Sequence, residues 1–328
     1  MLRTSRDITT SPELDALEHA WWNDNAATVS RVWEMEDEVC RAVRSGYLAR
    51  ARALLMRGRP LATVLELGCG SGWVGQQIAG DGLSIVGADF SEAQLELARA
   101  RARRSGLEAH CRYELCDSRG WTRLLERVDG VIVHCVLHHL SGKEVQEVLE
   151  GLRRGLPPGT PVWIYEPAFH VSALPPSPAP VSRTTSFWLS LTGRVHAYLG
   201  RAYRALGLLD ESAAGRLLAL TVQAERSGWY LSPKEVPFDR DAFTRELEQH
   251  FRTGARWWAT VSLVSWAHDT NLLTNWLLRR LAAAIVLPLF RHADALLARE
   301  EEHLKSALAA PSYAFHVWEC TTPDVAKS

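Results

Sequence analysis

Three carboxylates, three alternating glycines and two adjacent histidines are the residues of this chain whose types and spacing can do chemistry. Glu66, Asp89 and Asp117 each close a short run of largely apolar residues. An acid so placed can accept hydrogen bonds: Glu66 from an amine or hydroxyl, Asp89 from both hydroxyls of a ribose, Asp117 from an exocyclic amino group. Gly68, Gly70 and Gly72 follow Glu66 in the run E-L-G-C-G-S-G. They allow positive φ and remove Cβ atoms, so a ligand can lie against the backbone. His138 and His139 follow a further apolar run, in V-L-H-H-L. Histidine is the natural proton acceptor near neutral pH.

These groups converge only if the runs are neighbouring parallel strands. Residues 61–67 read as a strand covered on both faces, and 74–78 begin a helix whose N-terminus points back at the ligand. Strands are expected again at 83–89, 113–117, 128–134 and 161–167. A helix from 149 ends in the turn L-P-P-G before the last of these. Strands alternating with helices predict an α/β, doubly wound sheet, whose ligands bind at the carboxyl ends of the strands.

Two ligand classes use such a bend. Residues 70–75 formally match the dinucleotide pattern G-x-G-x-x-G. However, the first glycine after the strand is Gly68, and Glu66 stands two residues before it. That acid would repel a pyrophosphate and suits a cationic amino-acid ligand.

Taken in order, E-L-G-C-G-S-G, Asp89 followed by Phe90-Ser91, Asp117, V-L-H-H-L and L-P-P-G resemble the class I S-adenosylmethionine (SAM) dependent methyltransferases of small-molecule type, over about residues 61–167. The resemblance implies a Rossmann-like, seven-stranded sheet, its final antiparallel strand inserted beside the fifth, and SAM as cofactor with no metal. It implies that Gly68, Cys69, Gly70 and Gly72 line the methionine part of SAM, with Glu66 below. Asp89 would hold the ribose, Phe90 would cover the adenine, and Asp117 and Ser118 would meet its edge. His134 and Cys135 would sit near the sulfonium. Trp73 is larger than many residues found after the last glycine, and the turn reads P-P-G-T rather than P-G-G.

Outside that core, residues 1–58 are expected to form an N-terminal helical cap, opened by a capping-type start at Ser11. Residues 59–167 form the SAM-binding core, 168–250 a helical lid insertion with a Pro-rich loop at 174–180, and 251–328 the last two strands with an apolar helical pair between them. Helices are expected at 187–209, 212–226, 241–250, 271–287 and 289–309, and strands at about 255–266 and 313–320. Trp21, Trp22, Tyr47 and His170 are candidate substrate contacts; the aromatic ones either wall a greasy substrate or only pack the cap. The apolar 271–290 segment either packs on the core or meets a membrane surface peripherally, which Arg279 and Arg280 permit.

With 37 Lys+Arg against 38 Asp+Glu the net charge is −1, so no broad basic face for nucleic acid is expected. Six scattered cysteines form no C-x-x-C pair and imply neither zinc nor a disulfide framework. The polar first ten residues and the lack of a long apolar run predict a cytoplasmic enzyme. A homodimer is compatible with the sequence. The favoured reading is in-line methyl transfer to O, N or C of a hydrophobic metabolite in specialised metabolism, with His138, His139 or Glu166 as base candidates. The alternatives are a SAM-binding protein of the same fold that catalyses another reaction, such as a cyclisation, and an NAD(P)-dependent oxidoreductase.

Overall fold

The computed structural model describes residues 11–32, 48–116, 120–170, 232–259 and 312–324, with short stretches between 198 and 208 and between 276 and 284. The expected helices at 187–209, 212–226, 271–287 and 289–309 lie largely or wholly outside these residues.

Helix α1 (Pro12–Val32) opens as expected at Ser11, whose Oγ accepts the Leu14 amide at 3.2 Å. A second cap helix covers 48–55. Strand β1 (Ala62–Leu67) runs into the glycine bend and α2 (Trp73–Ile78). Then come β2 (Leu83–Asp89), α3 (Glu92–Arg104), β3 (Cys111–Leu115) and β4 (Gly130–His134). A 3-10 turn (Leu137–His139) precedes α4 (Gly142–Gly155) and β5 (Pro161–His170). Beyond the insertion lie β6 (Phe238–Asp239), α5 (Arg240–His250), β7 (Arg252–Ala259) and β8 (Ser312–Thr321).

The main sheet path is β3-β2-β1-β4-β5-β8-β7. β8 lies antiparallel between β5 and β7, as the resemblance implied. The two-residue β6 pairs with β5 off this path and was not expected. Side-chain alternation sends successive residues of each strand to opposite faces. Val64, Ile132, Trp163 and Tyr165 pack with Trp73, Leu95 and Leu55 on one face. Leu65, Val131, Val133, Val162 and Ile164 pack with Leu149, Leu152, Phe243 and Leu247 on the other. Both faces are buried, which is why these strands read as apolar runs.

Local signals start the helices. Ser91 caps α3 by accepting the Gln94 amide, and Ser141 with Glu144 forms a reciprocal capping box on α4. Asp239 caps α5 by accepting from Ala242 at 2.7 Å. α2 is only six residues long, because Ala79 is already extended and Gly80 takes φ 94°. The strand order reverses at β1, with β2 on one side and β4 on the other, so the crevice for a ligand opens above their carboxyl ends.

Candidate functional site

The glycine bend takes its shape from three left-handed residues, Gly68, Gly70 and Gly72, with φ of 63°, 51° and 69°. Its anchor is Asp89 at the end of β2. One carboxylate oxygen accepts the Gly70 amide and the other the Ser91 amide, each at 2.8 Å. One acid thus ties the bend to the start of α3. Glu66 is buried and accepts the Gly75 amide at 3.1 Å. Gly75, the last glycine of the formal dinucleotide pattern, is small because a Cβ there would lie 2.4 Å from Glu66 Oε2. Its role is close helix–strand packing around an acid, not pyrophosphate binding.

Space at the bend is tight. A Cβ on Gly72 would meet the Tyr113 hydroxyl at 2.5 Å, and that hydroxyl is held by the Gln76 side chain. Gly72→Ala is therefore expected to cost about 2–4 kcal/mol, from the left-handed backbone and the overpacking together. Urea denaturation would measure it; a midpoint equal to wild type would refute the constraint.

Helix α1 crosses above this bend. Asn23 Oδ1 accepts from Ser91 Oγ at 2.9 Å and from the Ala93 amide at 3.3 Å. The His19 ring lies 5.4 Å from the Phe90 ring. Ser30 Oγ accepts from Arg101, whose guanidinium also reaches the Ser71 carbonyl at 2.7 Å. Helix α1 therefore meets Phe90 and the sequence neighbours of Asp89 and Gly70, next to residues expected to hold SAM.

On the opposite side of the crevice, the turn after β4 is locked from below. Glu166 Oε1 accepts the Val136 and Leu137 amides, both at 2.8 Å, and Oε2 lies 2.6 Å from His138 Nδ1. Glu166 is 0 % exposed and His138 4 %. Burial pushes the Glu166 carboxyl up to about 7, and burial pushes His138 down to about 3. Glu166, one of the base candidates, has both its oxygens engaged inside the protein in shaping the turn. The His138 carbonyl accepts the Val236 amide at 2.8 Å, so the turn also holds the loop before β6.

His139 differs from its neighbour. Its Nδ1 is 2.9 Å from Ser232 Oγ and 3.1 Å from Glu18 Oε1, and the Trp22 ring meets it edge-on at 5.1 Å. Glu18, Ser232 and Lys234 were not anticipated. They come from α1 and from the loop before β6, far apart in sequence, and only the capping-type start at Ser11 marked the first of these segments. Lys234 is buried, with Nζ 2.8 Å from Asp15 and 3.2 Å from Glu144. Burial opposes its charge, but the two carboxylates outweigh it and hold the ammonium above its ordinary value.

The remaining expected residues divide clearly. Trp21 is 5 % exposed and packs against Trp22, so it belongs to the core of the cap. Trp22 reaches the site, donating from Nε1 to Glu18 at 2.7 Å. His134 stacks on Tyr165 at 4.4 Å between ring centres, and Cys135 takes φ 55°. Cys69 is buried in the bend, and Phe90 is 38 % exposed. Asp117, Ser118 and Tyr47 lie outside the described residues, as does the side chain of His170. In the 271–290 segment Trp276, Leu277 and Leu281 are exposed, with Arg280 6.0 Å from the Trp276 ring centre. Among the described residues no helix is long and apolar enough to cross a membrane, and no group of three or more His, Cys, Asp or Glu could hold a metal.

A family model described as a methyltransferase domain matches residues 64–159, from the middle of β1 to the turn before β5. Over those residues the chain is similar to the methyltransferases that this model describes. A ubiquinone biosynthesis O-methyltransferase from Salmonella arizonae is 26 % identical over 158 residues, which is 47 % of this chain and 62 % of that protein. One of the same description from Dinoroseobacter shibae is 33 % identical over 78 residues, 24 % of this chain and 31 % of that protein. The chain thus spans less than two thirds of the length of these relatives. A solved structure of a putative sarcosine dimethylglycine methyltransferase from Galdieria sulphuraria shares the fold, with a TM-score of 0.52, 16 % identity and coverage of 93 % of this chain and all 100 % of that one. So does a cyclopropane synthase from Mycobacterium tuberculosis, with a TM-score of 0.52, 15 % identity and coverage of 96 % and 100 %.

The residues present fit SAM, the cofactor that the resemblance implies. The donor set at the strand ends is acidic, which suits a ligand carrying an ammonium and a sulfonium. The glycine bend and the six-residue α2 offer no basic phosphate cradle.

Proposed function

We propose that the protein transfers a methyl group from SAM to a hydrophobic small molecule in specialised metabolism. The observation that carries this reading is the joint closure of Asp89 and α1 over the glycine bend. In this reading Gly68, Cys69, Gly70 and Gly72 hold the methionine part and Glu66 supports them from below. Asp89 takes the ribose hydroxyls. Phe90 covers the adenine, Asp117 and Ser118 meet its edge, and His134 and Cys135 flank the sulfonium.

The sulfonium supplies an electrophilic methyl carbon, so the protein has no cofactor to activate. Its tasks are to hold the acceptor in line and to exclude water, and such positioning can supply roughly 7–11 kcal/mol of the barrier. α1 and the loop before β6 serve both ends. The substrate class follows from Trp22 beside the candidate base and from relatives described as acting in ubiquinone biosynthesis.

Calorimetry with S-adenosylhomocysteine (SAH), followed by transfer from methyl-labelled SAM to a panel of phenols, amines and lipids, tests this reading. SAH binding with label appearing in an apolar acceptor is the expected result. Tight SAH binding with a silent panel overturns methyl transfer, and absent SAH binding overturns the reading as a whole.

A further inference from the structure

A second acid–histidine pair stands apart from the buried one. Glu18, on α1, is 5 % exposed and faces four donors or ring atoms from three segments. Its Oε1 accepts from Trp22 Nε1 at 2.7 Å and Ser232 Oγ at 2.8 Å, and its Oε2 accepts the Lys234 amide at 2.8 Å. His139 Nδ1 lies 3.1 Å from the same Oε1 and 2.9 Å from Ser232 Oγ. Burial pushes the Glu18 carboxyl up. The hydrogen bond and charge of His139, the Lys234 amide and the Ser232 hydroxyl more than reverse this and bring it down to about 2.

The bonding pattern selects a tautomer. Ser232 has one hydroxyl proton and gives it to Glu18, so towards His139 it accepts. Ionised Glu18 is an acceptor only. Nδ1 therefore carries the hydrogen, and the lone pair of the neutral ring is on Nε2. Among the described residues Nε2 has no hydrogen-bond partner, and the His139 side chain keeps 13 % exposure. His138 is the more enclosed of the two: Glu166 lies 2.6 Å from its Nδ1, Glu235 stands 3.9 Å from its Nε2, and its side chain is 5 % exposed. The groups around the His139 ring are Glu18, Ser232, the Trp22 edge, His138 at 4.0 Å between ring centres, and Glu166 beneath.

We propose that Glu18 is a positioning residue that fixes His139 as the proton acceptor for methyl transfer to a hydroxyl group. This rests on the methyltransferase reading above and narrows its substrate class. As the acceptor oxygen bonds to the methyl carbon, the S–CH3 bond pair returns to sulfur and the hydroxyl proton passes to His139 Nε2. The products are a methyl ether, SAH and a protonated imidazole that later releases its proton to water.

The test joins a spectroscopic and a kinetic readout on the full chain. Long-range 1H–15N correlation of 15N-histidine protein reports the His139 tautomer without any substrate, and a His139→Gln sample assigns the signal. Wild type is expected to show the Nδ1–H form, and Glu18→Gln a mixture. With methyl-labelled SAM and a long-chain alkylcatechol, His139→Gln is expected to lose about 10²- to 10⁴-fold in kcat. Glu18→Gln is expected to lose roughly ten- to a hundredfold, with KM for SAM unchanged. Lys234→Met loosens the same segments through Asp15 and Glu144, and should lower the Tm without moving the tautomer. An unchanged tautomer and kcat in Glu18→Gln overturns the proposal. So does loss of activity that only follows the folded fraction, as does a wild type that methylates amines but no hydroxyl. Absent SAH binding would overturn the methyltransferase reading and the proton transfer with it, while the tautomer would still report on Glu18.

Discussion

Asp89→Ala is expected to weaken SAH binding by roughly 100- to 1,000-fold, which corresponds to about 3–4 kcal/mol. The effect has two sources. The ribose loses its acceptor, and the Gly70 and Ser91 amides lose theirs. Without the carboxylate, the middle of the bend is no longer tied to the start of α3, and Ser91 is also the residue that α1 grips through Asn23. The cofactor groove and its cover therefore loosen together. Titration calorimetry with SAH gives the affinity, and thermal unfolding separates it from global damage. If Asp89→Ala bound SAH within a few-fold of wild type, the assignment of this acid to the ribose would fail. Asp89→Asn keeps one acceptor oxygen and is expected to fall between the two.

The second large effect concerns Glu166. Glu166→Leu strands two backbone N–H donors and one histidine inside the protein, at an expected cost of about 3–5 kcal/mol. Glu166→Gln retains an oxygen for one partner and should cost less. The pair also leaves a signature in the pH dependence of stability. The Glu166 carboxyl is raised from 4.5 to about 7, so its contribution is complete below 4.5 and is lost as pH rises towards 7. His138 is lowered from 6.5 to about 3, so its contribution is complete above 6.5 and is lost as pH falls towards 3. Between 4.5 and 6.5 the folded and the unfolded pair hold the same number of protons, and the two slopes cancel. His138→Leu removes one arm and should expose the other, a fall in stability relative to wild type as pH rises through that window. Urea titrations across the range measure this directly. A difference between the two proteins that does not vary with pH would refute the shared proton.

Much of the cofactor half of the site was legible in the residues. The alternating glycines, the acids at 66 and 89 and the apolar runs between them are local, and a buried parallel strand leaves a local trace because both its faces are covered. The observed β1 and β2 and the order of the core elements follow that trace closely. The antiparallel place of β8 between β5 and β7 was legible only through the family resemblance, since pairing partners in a mixed sheet leave no local mark. The half that holds the base candidates was legible in part. V-L-H-H-L marked two histidines, but nothing in the motif distinguishes them.

Tertiary structure made that distinction. Parity along β5 sends Glu166 to the face opposite Glu66 and drives it under the turn, where it engages His138. The fold of α1 across the crevice brings Glu18 to His139, and the loop before β6 adds Ser232. By itself the sequence determined the core strands β1 and β2 and the acids Glu66 and Asp89 near their ends, because strand burial, glycine φ and helix caps are read within a few residues. Only the fold decided which histidine is enclosed and which stays partly exposed, because that depends on partners joined across the chain by packing rather than by proximity in sequence.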